Sequence, residues 1–429
     1  MPDELIAIAE GRELGRIEQG RDGRLTLTYN QSWREAEDAY PISLSLPLAG
    51  TKHHHDVVQA FLWGLLPDNN RILADWGRRF GASGGNPFAL LHYVGEECAG
   101  AVQFVRPDRL ETLQSGRTDH VQWLTHAEVA DRLRSLKDDR AAWRRLGDEG
   151  QFSLAGAQPK TAFIEQNGQW GIPSGRTPTT HILKPPTLEH DGFVENEHLC
   201  LELAWALGLP TAKSRVMRFE EQVAIVVERY DRRRTDAGLV RIHQEDMCQA
   251  LGVPPLRKYE NDGGPRVDQI LDLLRTNSRS ANEDMHTFLD AVALNWVIAG
   301  TDGHAKNYSI LISEGGVRLA PLYDVASALP YQKTLSPHKI KLAMKIGGEY
   351  LIGRISRRHW ERLADDVGLD RDEVLSRVVN VAERIVAVTP AVRQAAEQDG
   401  LTSPILAVLE ETLVARAGVC LKVMSEAGD

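Results

Sequence analysis

One stretch, residues 283–324, limits the fold more than any other. EDMHTFLDAVALNWVIAG sets Met285, Phe288, Leu289, Val292, Trp296 and Ala299 on one face at helical spacing, and Gly300 predicts the helix end. The loop Thr301-Asp302-Gly303-His304-Ala305-Lys306-Asn307 follows. Then come YSILI as a strand, Glu314-Gly315-Gly316 as a turn, and VRLAPLYD as a second strand closed by Asp324. A loop carboxylate, a loop amide five residues on and a strand-end carboxylate can converge on one cation, and oxygen donors are what Mg²⁺ prefers. A D-x₄-N pair alone is a weak signal, because Asp and Asn at turns commonly only hydrogen-bond backbone. The helix before it, the hairpin after it and the second Asp make it specific.

Phosphoryl transfer needs a polarising metal, a phosphate cradle and a base for the attacking hydroxyl, with little covalent help from the protein. The rest of the chain offers the remaining parts. Ser153-Leu154-Ala155-Gly156-Ala157-Gln158-Pro159-Lys160 is rich in small residues ahead of a strand, so its N–H groups can cradle phosphate. It is no Walker A, having one Gly and no Gly-Lys-Ser/Thr. Lys184 ends the strand THILK, within reach of phosphate oxygens, and Glu197, with Glu195 as competitor, can hold that ammonium. VAIVV runs into Glu228-Arg229-Tyr230, where an apolar strand can present backbone groups to adenine and Tyr230 can pack on the ring. Each of these alone is better read as an ordinary turn, surface lysine or edge strand.

The organisation predicted around these motifs is α+β. Residues 4–48 read as short strands, with Leu25, Leu27 and Tyr29 alternating with threonines. Val57 to Phe80 is helical, AVQFV is a strand, and RPDRLETLQSGRTDH is polar and non-periodic, predicting a linker. Thr125 and Glu128 form a capping box for a helix expected to run to about Leu146, where GDEG ends it. The expected domains are therefore 1–110, a small N-terminal β plus helical domain; 111–149, linker and connecting helix; 150–243, a small α/β lobe; and 244–429, a mainly helical large lobe. The last two together predict a bilobal protein-kinase-like domain with a mainly helical C-lobe.

Bulk properties narrow the setting. Hydrophobic content of 42% and charged content of 26% are ordinary for a globular protein. A net charge of −10 disfavours bare nucleic acid as a direct partner. Cys98, Cys200, Cys248 and Cys420 lack any C-x-x-C pair and read as reduced core thiols. The N-terminus has no signal-peptide pattern and no run approaches the length of a membrane span, so the expected location is cytoplasmic, away from membranes. His53–His55 sits in a polar connection and is left unassigned.

With these residues assembled, the chain resembles the HipA family of serine/threonine kinase toxins of type II toxin–antitoxin modules. The resemblance rests on FSLAGAQPKTAF, GRTPTTHILKPP, VENEHLCLELAWALGL, VERYDRR, QEDMCQALG, KYENDGGP, AGTDGHAKNYSILI and LAPLYDVASA, in order over about residues 150–330, with weaker similarity around FLWGLLPDN. It implies ATP and Mg²⁺ as cofactors, Asp302 as catalytic base, and Asn307 and Asp324 as metal ligands. It also implies Ala155, Gly156, Ala157, Gln158, Pro159 and Lys160 as phosphate loop, Lys184 as phosphate-binding lysine, and Glu228, Arg229 and Tyr230 as adenine hinge. His304, Ala305, Lys306 and Asn307, with Tyr323 and Asp324, would complete the nucleotide pocket, and Ser153 matches an autophosphorylated serine. The implied partners are a helix-turn-helix antitoxin dimer, operator DNA mainly through that antitoxin, and a protein substrate such as an aminoacyl-tRNA synthetase, whose phosphorylation would halt translation. Ordinary protein-kinase signatures are missing: Gly300-Thr301, not His-Arg, precede Asp302, Val-Ala follows Asp324, and no Ala-Pro-Glu is present. A catalytically silent co-regulator and a small-molecule kinase are the competing readings.

Overall fold

The structure is a computed structural model that describes residues 3–139, 153–187, 190–236, 238–331 and 339–426. It mixes helix and sheet, as expected, and divides into two compact units. One comprises residues 1–185, 217–256 and 310–316; the other comprises 186–216, 257–309 and 317–429.

The first unit holds two sheets. In the N-terminal sheet, β1 (Asp3–Ala9), β2 (Arg12–Gln19), β3 (Leu25–Tyr29), β4 (Lys52–His54) and β5 (Gln103–Val105) lie in the order β4-β3-β2-β1-β5. The alternation of leucine and threonine in β3 buries Leu25, Leu27 and Tyr29, as a half-buried strand requires. Helix His55–Gly64 buries Phe61 and Leu62. The histidine run is structural: His55 Nδ1 accepts the Leu25 N–H at 3.1 Å, and His53 stands edge-on to Tyr29.

The second sheet contains β6 (His120–Leu124), β7 (Thr161–Gln166), β8 (Gln169–Ser174), β9 (His181–Lys184), β10 (Ser214–Phe219) and β11 (Gln222–Glu228), in the order β10-β11-β9-β7-β8-β6. One expectation is corrected here. The segment read as a linker carries helix Leu110–Gln114 and the edge strand β6, which pairs Gln122 with Ile172 of β8. An edge strand that alternates His and Gln toward solvent looks like a loop in composition. β8 contains Gly171 and Pro173, two residues that are depleted in strands. Its pairing with β7 covers only Gln169–Gly171, so the missing proline N–H falls outside that ladder. The predicted capping box is present, with Thr125 N–H donating to Glu128 and Glu128 N–H to Thr125 Oγ1. That helix spans His126–Asp138; its predicted extension toward Leu146 lies outside the described residues.

The second unit is mainly helical. Helix Ala281–Ile298 buries the predicted Met285, Phe288, Leu289, Val292 and Trp296, and also Ala291, Ala293, Leu294 and Val297. It is therefore a central helix enclosed on most sides rather than an amphipathic surface helix. Helices Val267–Asn277, Arg371–Gln398 and Ile405–Ser425 pack around it, and Trp296 meets Trp360 of helix Arg357–Val367 edge-on. Helix Phe193–Ala206 packs on Arg371–Gln398 and clusters with this unit. Residues 1–110 share the first unit with the second sheet. Among the described residues no helix is long and apolar enough to cross a membrane.

Candidate functional site

The loop that carries Asp302 is shaped by the end of the central helix. Ala299 caps it in the left-handed conformation at φ 55°, and the Gly300 N–H returns to the Asn295 carbonyl at 2.8 Å. The Asn295 side chain then fills the inside of the loop. A Cβ at Gly300 would lie 2.1 Å from its Oδ1, and one at Gly303 would lie 2.7 Å from its Nδ2. Both glycines are thus required by a close approach. Asn295 Nδ2 also donates to the buried Tyr308 hydroxyl at 2.7 Å.

Within the loop the D-x₄-N spacing has a physical basis. The Asp302 carbonyl accepts both the His304 N–H and the Asn307 Nδ2, each at 2.7 Å. That donation fixes the Asn307 amide and leaves its Oδ1 as the atom able to meet a cation. The Asp302 side chain points outward, 63% exposed, whereas the His304 ring is buried with Nε2 at 3.7 Å from Asp302 Oδ1. The Tyr259 hydroxyl donates to the same Oδ1 at 2.5 Å, and its ring stands edge-on to His304 at 4.9 Å.

The second carboxylate is not at a strand end. The strand stops at Leu319, Pro321 follows, and Asp324 occupies a bend at φ 57°. A non-glycine residue there costs about 1–2 kcal/mol, so the flanking chain must hold it. Two residues upstream, Leu322 N–H donates to the Pro210 carbonyl at 2.8 Å, and the Leu322 carbonyl accepts from Ala212. Three residues downstream, the Asn196 side chain donates to the Ser327 carbonyl at 2.8 Å and accepts its N–H at 3.0 Å. Ser327 Oγ also donates to the Ile298 carbonyl at 2.6 Å. Asn196, Ser327 and Tyr259 were not singled out by role from the sequence. A lone Asn inside the apolar run of Phe193–Ala206 is the signal that could have marked the first, since buried polar groups are paired.

A direct tie joins the segments that carry Asn307 and Asp324. Tyr323 donates to the carbonyl of Lys306 at 2.7 Å and receives Ser309 Oγ at 2.6 Å. Asn307 and Asp324 are each the next residue along. Among the described residues no cluster of three or more His, Cys, Asp or Glu could hold a metal. One carboxylate plus one amide oxygen is nonetheless the kind of donor set that suits Mg²⁺ shared with substrate phosphates.

The remaining predicted residues lie in the first unit. Ser153 is fully buried; its N–H donates to the Glu97 carbonyl at 2.8 Å and its hydroxyl to the Leu65 carbonyl at 2.7 Å. Gly156, at φ 104°, bridges Pro67, and its carbonyl accepts the Asp68 N–H at 3.1 Å. Lys160 Nζ folds back onto the Ala155 carbonyl at 2.6 Å, so the loop Ala155–Lys160 is closed on itself and pinned to residues 65–68. Lys184 is buried at the end of β9 opposite Ile225, and Glu228 ends β11 opposite His181. Tyr230 hydrogen-bonds Gln244. The Arg229 side chain is 3% exposed and is bound to Asp231, Glu97, Thr179 and the Cys98 carbonyl. It is an internal anchor, and only main-chain atoms of this position remain to face a ligand. The unforeseen partner is Glu97, whose two oxygens also take Arg232 and Arg241. Burial alone would raise its pKa, but the three guanidiniums outweigh that and hold the carboxyl well below the usual range.

Comparison with known proteins gives a consistent answer. Residues 152–389 match the model of a HipA-like C-terminal domain, and residues 5–105 match that of a HipA N-terminal domain. The chain is 37% identical over 378 residues to a Sinorhizobium fredii protein that carries a kinase name, Y4mE, covering 87% of this chain and 88% of that one. It is 29% identical to the serine/threonine-protein kinase toxin HipA of Shewanella oneidensis, over 83% of this chain and 81% of the relative. The solved Shewanella oneidensis toxin–antitoxin complex of HipA, HipB and operator DNA superposes with a TM-score of 0.83 at 25% identity, covering 98% of both chains.

Proposed function

We propose, from the premise that this chain belongs to the HipA family of kinases, that it transfers the γ-phosphate of ATP to a serine or threonine of a protein, with Asp302 orienting the attacking hydroxyl. The observation that supports this best is the Tyr323–Lys306 tie, which keeps Asn307 Oδ1 and the Asp324 carboxylate on neighbouring segments beside the Asp302 loop. Asn307 and Asp324 would hold Mg²⁺, which when bound neutralises charge on the transferring phosphoryl group. Asp302 accepts the hydroxyl proton, and its exposure leaves it open to a macromolecular acceptor. His304, Ala305, Lys306 and Tyr323 line the nucleotide, while Ala155–Lys160, Lys184 and the main chain of Glu228–Tyr230 contribute phosphate and adenine binding.

The biological role proposed is that of a cytoplasmic toxin. Its substrate is an aminoacyl-tRNA synthetase, and phosphorylation of that enzyme blocks translation and arrests growth. A helix-turn-helix antitoxin dimer, like the HipB present in the Shewanella complex, neutralises it and carries most operator contacts, in keeping with a net charge of −10 on this chain. Ser153 is the autophosphorylation site, reached only when its loop leaves the buried position. Labelled-ATP transfer by wild type and not by Asp302→Ala tests the activity; equal transfer by both would sink it. Phosphoproteomics after brief induction of the same pair identifies the substrate.

A further inference from the structure

The motif Lys258-Tyr259-Glu260-Asn261-Asp262-Gly263-Gly264-Pro265 is a conspicuous block of the sequence that the proposed reaction leaves unused. Its main chain and side chains are held from three sides. The Lys258 carbonyl accepts the Ala305 N–H at 3.4 Å, a direct link to the Asp302 loop. The Glu260 carboxylate, nearly buried, accepts the Lys345 N–H at 2.6 Å and has Lys345 Nζ at 3.5 Å, which anchors the turn to strand Lys341–Ile346. The Tyr259 carbonyl accepts the N–H groups of Asp262 and Gly264, each at 3.0 Å. A Cβ at Gly264 would lie 2.0 Å from the Arg257 carbonyl, so the turn closes only with glycine there.

Between these anchors projects a single side chain aimed at the reacting group. Tyr259 donates its hydroxyl to Asp302 Oδ1 at 2.5 Å while its ring edge packs on the buried His304. An aspartate that is 63% exposed would otherwise sample several rotamers. A hydrogen bond from a rigidly held phenol selects one of them.

We infer that Tyr259 is a positioning residue for phosphoryl transfer: it fixes the Asp302 carboxylate through Oδ1 and so turns Oδ2 toward the acceptor hydroxyl. This rests on the reading of Asp302 as the catalytic base. The hydroxyl supplies the effect, and the ring supplies the packing, so the two are separable by substitution.

The test compares wild type, Tyr259→Phe, Tyr259→Ala, Asp302→Asn and the Tyr259→Phe/Asp302→Asn double variant, using γ-labelled ATP with Mg²⁺ and a serine-containing peptide library as acceptor. Loss of fixed geometry at a reacting group costs about 10- to 100-fold in rate, so Tyr259→Phe should lower kcat by that factor with KM for ATP little changed. Most of the Tyr259→Ala loss should already be present in Tyr259→Phe. In the Asp302→Asn background Tyr259→Phe should cost nothing further, because the group it orients is no longer a base. The inference is overturned if Tyr259→Phe matches wild type, or if its cost persists undiminished beside Asp302→Asn. Either result leaves the kinase reading standing, whereas a wild-type protein that transfers no phosphate to any acceptor overturns that reading itself.

Discussion

The phenol of Tyr323 donates to the main-chain carbonyl of Lys306 at 2.7 Å, and each of these residues immediately precedes a proposed cation ligand. The backbone at Asn307 is therefore tied to the backbone at Asp324 through one partly buried hydroxyl. Helix Ala281–Ile298 reinforces this at both ends. Asp284 at its start binds Arg318 and the Leu319 N–H, and the Ile298 and Ala299 carbonyls at its end take Ser327 and Ala328.

Tyr323→Phe should expose the consequence. It removes one hydroxyl that bridges Lys306 and Ser309, worth about 1 kcal/mol of stability, and leaves the ring in place. The Mg²⁺ concentration for half-maximal phosphoryl transfer should rise. A magnesium titration indistinguishable from wild type would mean that Tyr323 does not set the ligand spacing.

Asn196→Leu should be mainly a stability lesion. Its amide satisfies both the N–H and the carbonyl of buried Ser327, and leaving two buried backbone groups unpaired costs about 2–4 kcal/mol. The urea midpoint should fall accordingly. Asn196→Asp should not rescue it: the acceptor for the Ser327 N–H is kept, but a buried carboxylate oxygen then faces the Ser327 carbonyl in place of the donating amide.

Much of this site was legible in the sequence, and the boundary of what was legible is physical. Asp302, Asn307 and Asp324 stood out because their spacing follows a long apolar helix and a glycine. The return of the chain through Ser327 and Asn196 did not, because a hydrogen bond between residues 131 positions apart leaves no local pattern. The same holds for Glu97, which looks like a surface residue beside Glu96 until Arg229, Arg232 and Arg241 arrive from far along the chain. β6 was lost because its polar alternation imitates a loop. Asp324 was misplaced onto a strand because Pro321 was read as part of the strand rather than its end.

Glu97→Gln should test the guanidinium cluster. Removing one partner of a buried ion network costs about 3–5 kcal/mol, and here three arginines would lose their shared carboxylate. Because the folded state holds this carboxyl below its unfolded value, its contribution is present above the ordinary carboxylate range and is lost as pH falls. The wild-type advantage over Glu97→Gln in thermal unfolding should therefore shrink on acidification.

Glu245 should show the opposite sign. It is buried, Oε1 accepts the Leu44 N–H at 2.8 Å, and Oε2 has no hydrogen-bond partner among the described residues. Burial, with the neighbouring Asp246 adding to it, pushes this carboxyl from 4.5 up to about 8. A raised folded value means that the group stabilises fully at acid pH, and that this contribution is lost as pH rises through the folded value. Glu245→Gln does not titrate, so its stability relative to wild type should improve between acid and alkaline solution. Denaturant midpoints measured at about pH 4 and about pH 9 bracket the window; parallel midpoints would show that Glu245 ionises normally.

Ser153→Glu should separate the closed loop from an open one. The serine hydroxyl donates to Leu65 in a site with 0% exposure, and a carboxylate there would lose that bond and face a carbonyl oxygen. Desolvating an unpaired charge costs more than the loop's few hydrogen bonds return, so the segment Ser153–Lys160 should leave its place against residues 65–68. Amide exchange at Ser153, whose N–H is held by the Glu97 carbonyl, should speed up markedly, and ATP should bind more weakly. Ser153→Ala loses only the hydroxyl bond, about 1 kcal/mol, and should keep the loop protected. If Ser153→Glu retained both amide protection and nucleotide affinity, phosphorylation at this position would have no means of switching the enzyme off.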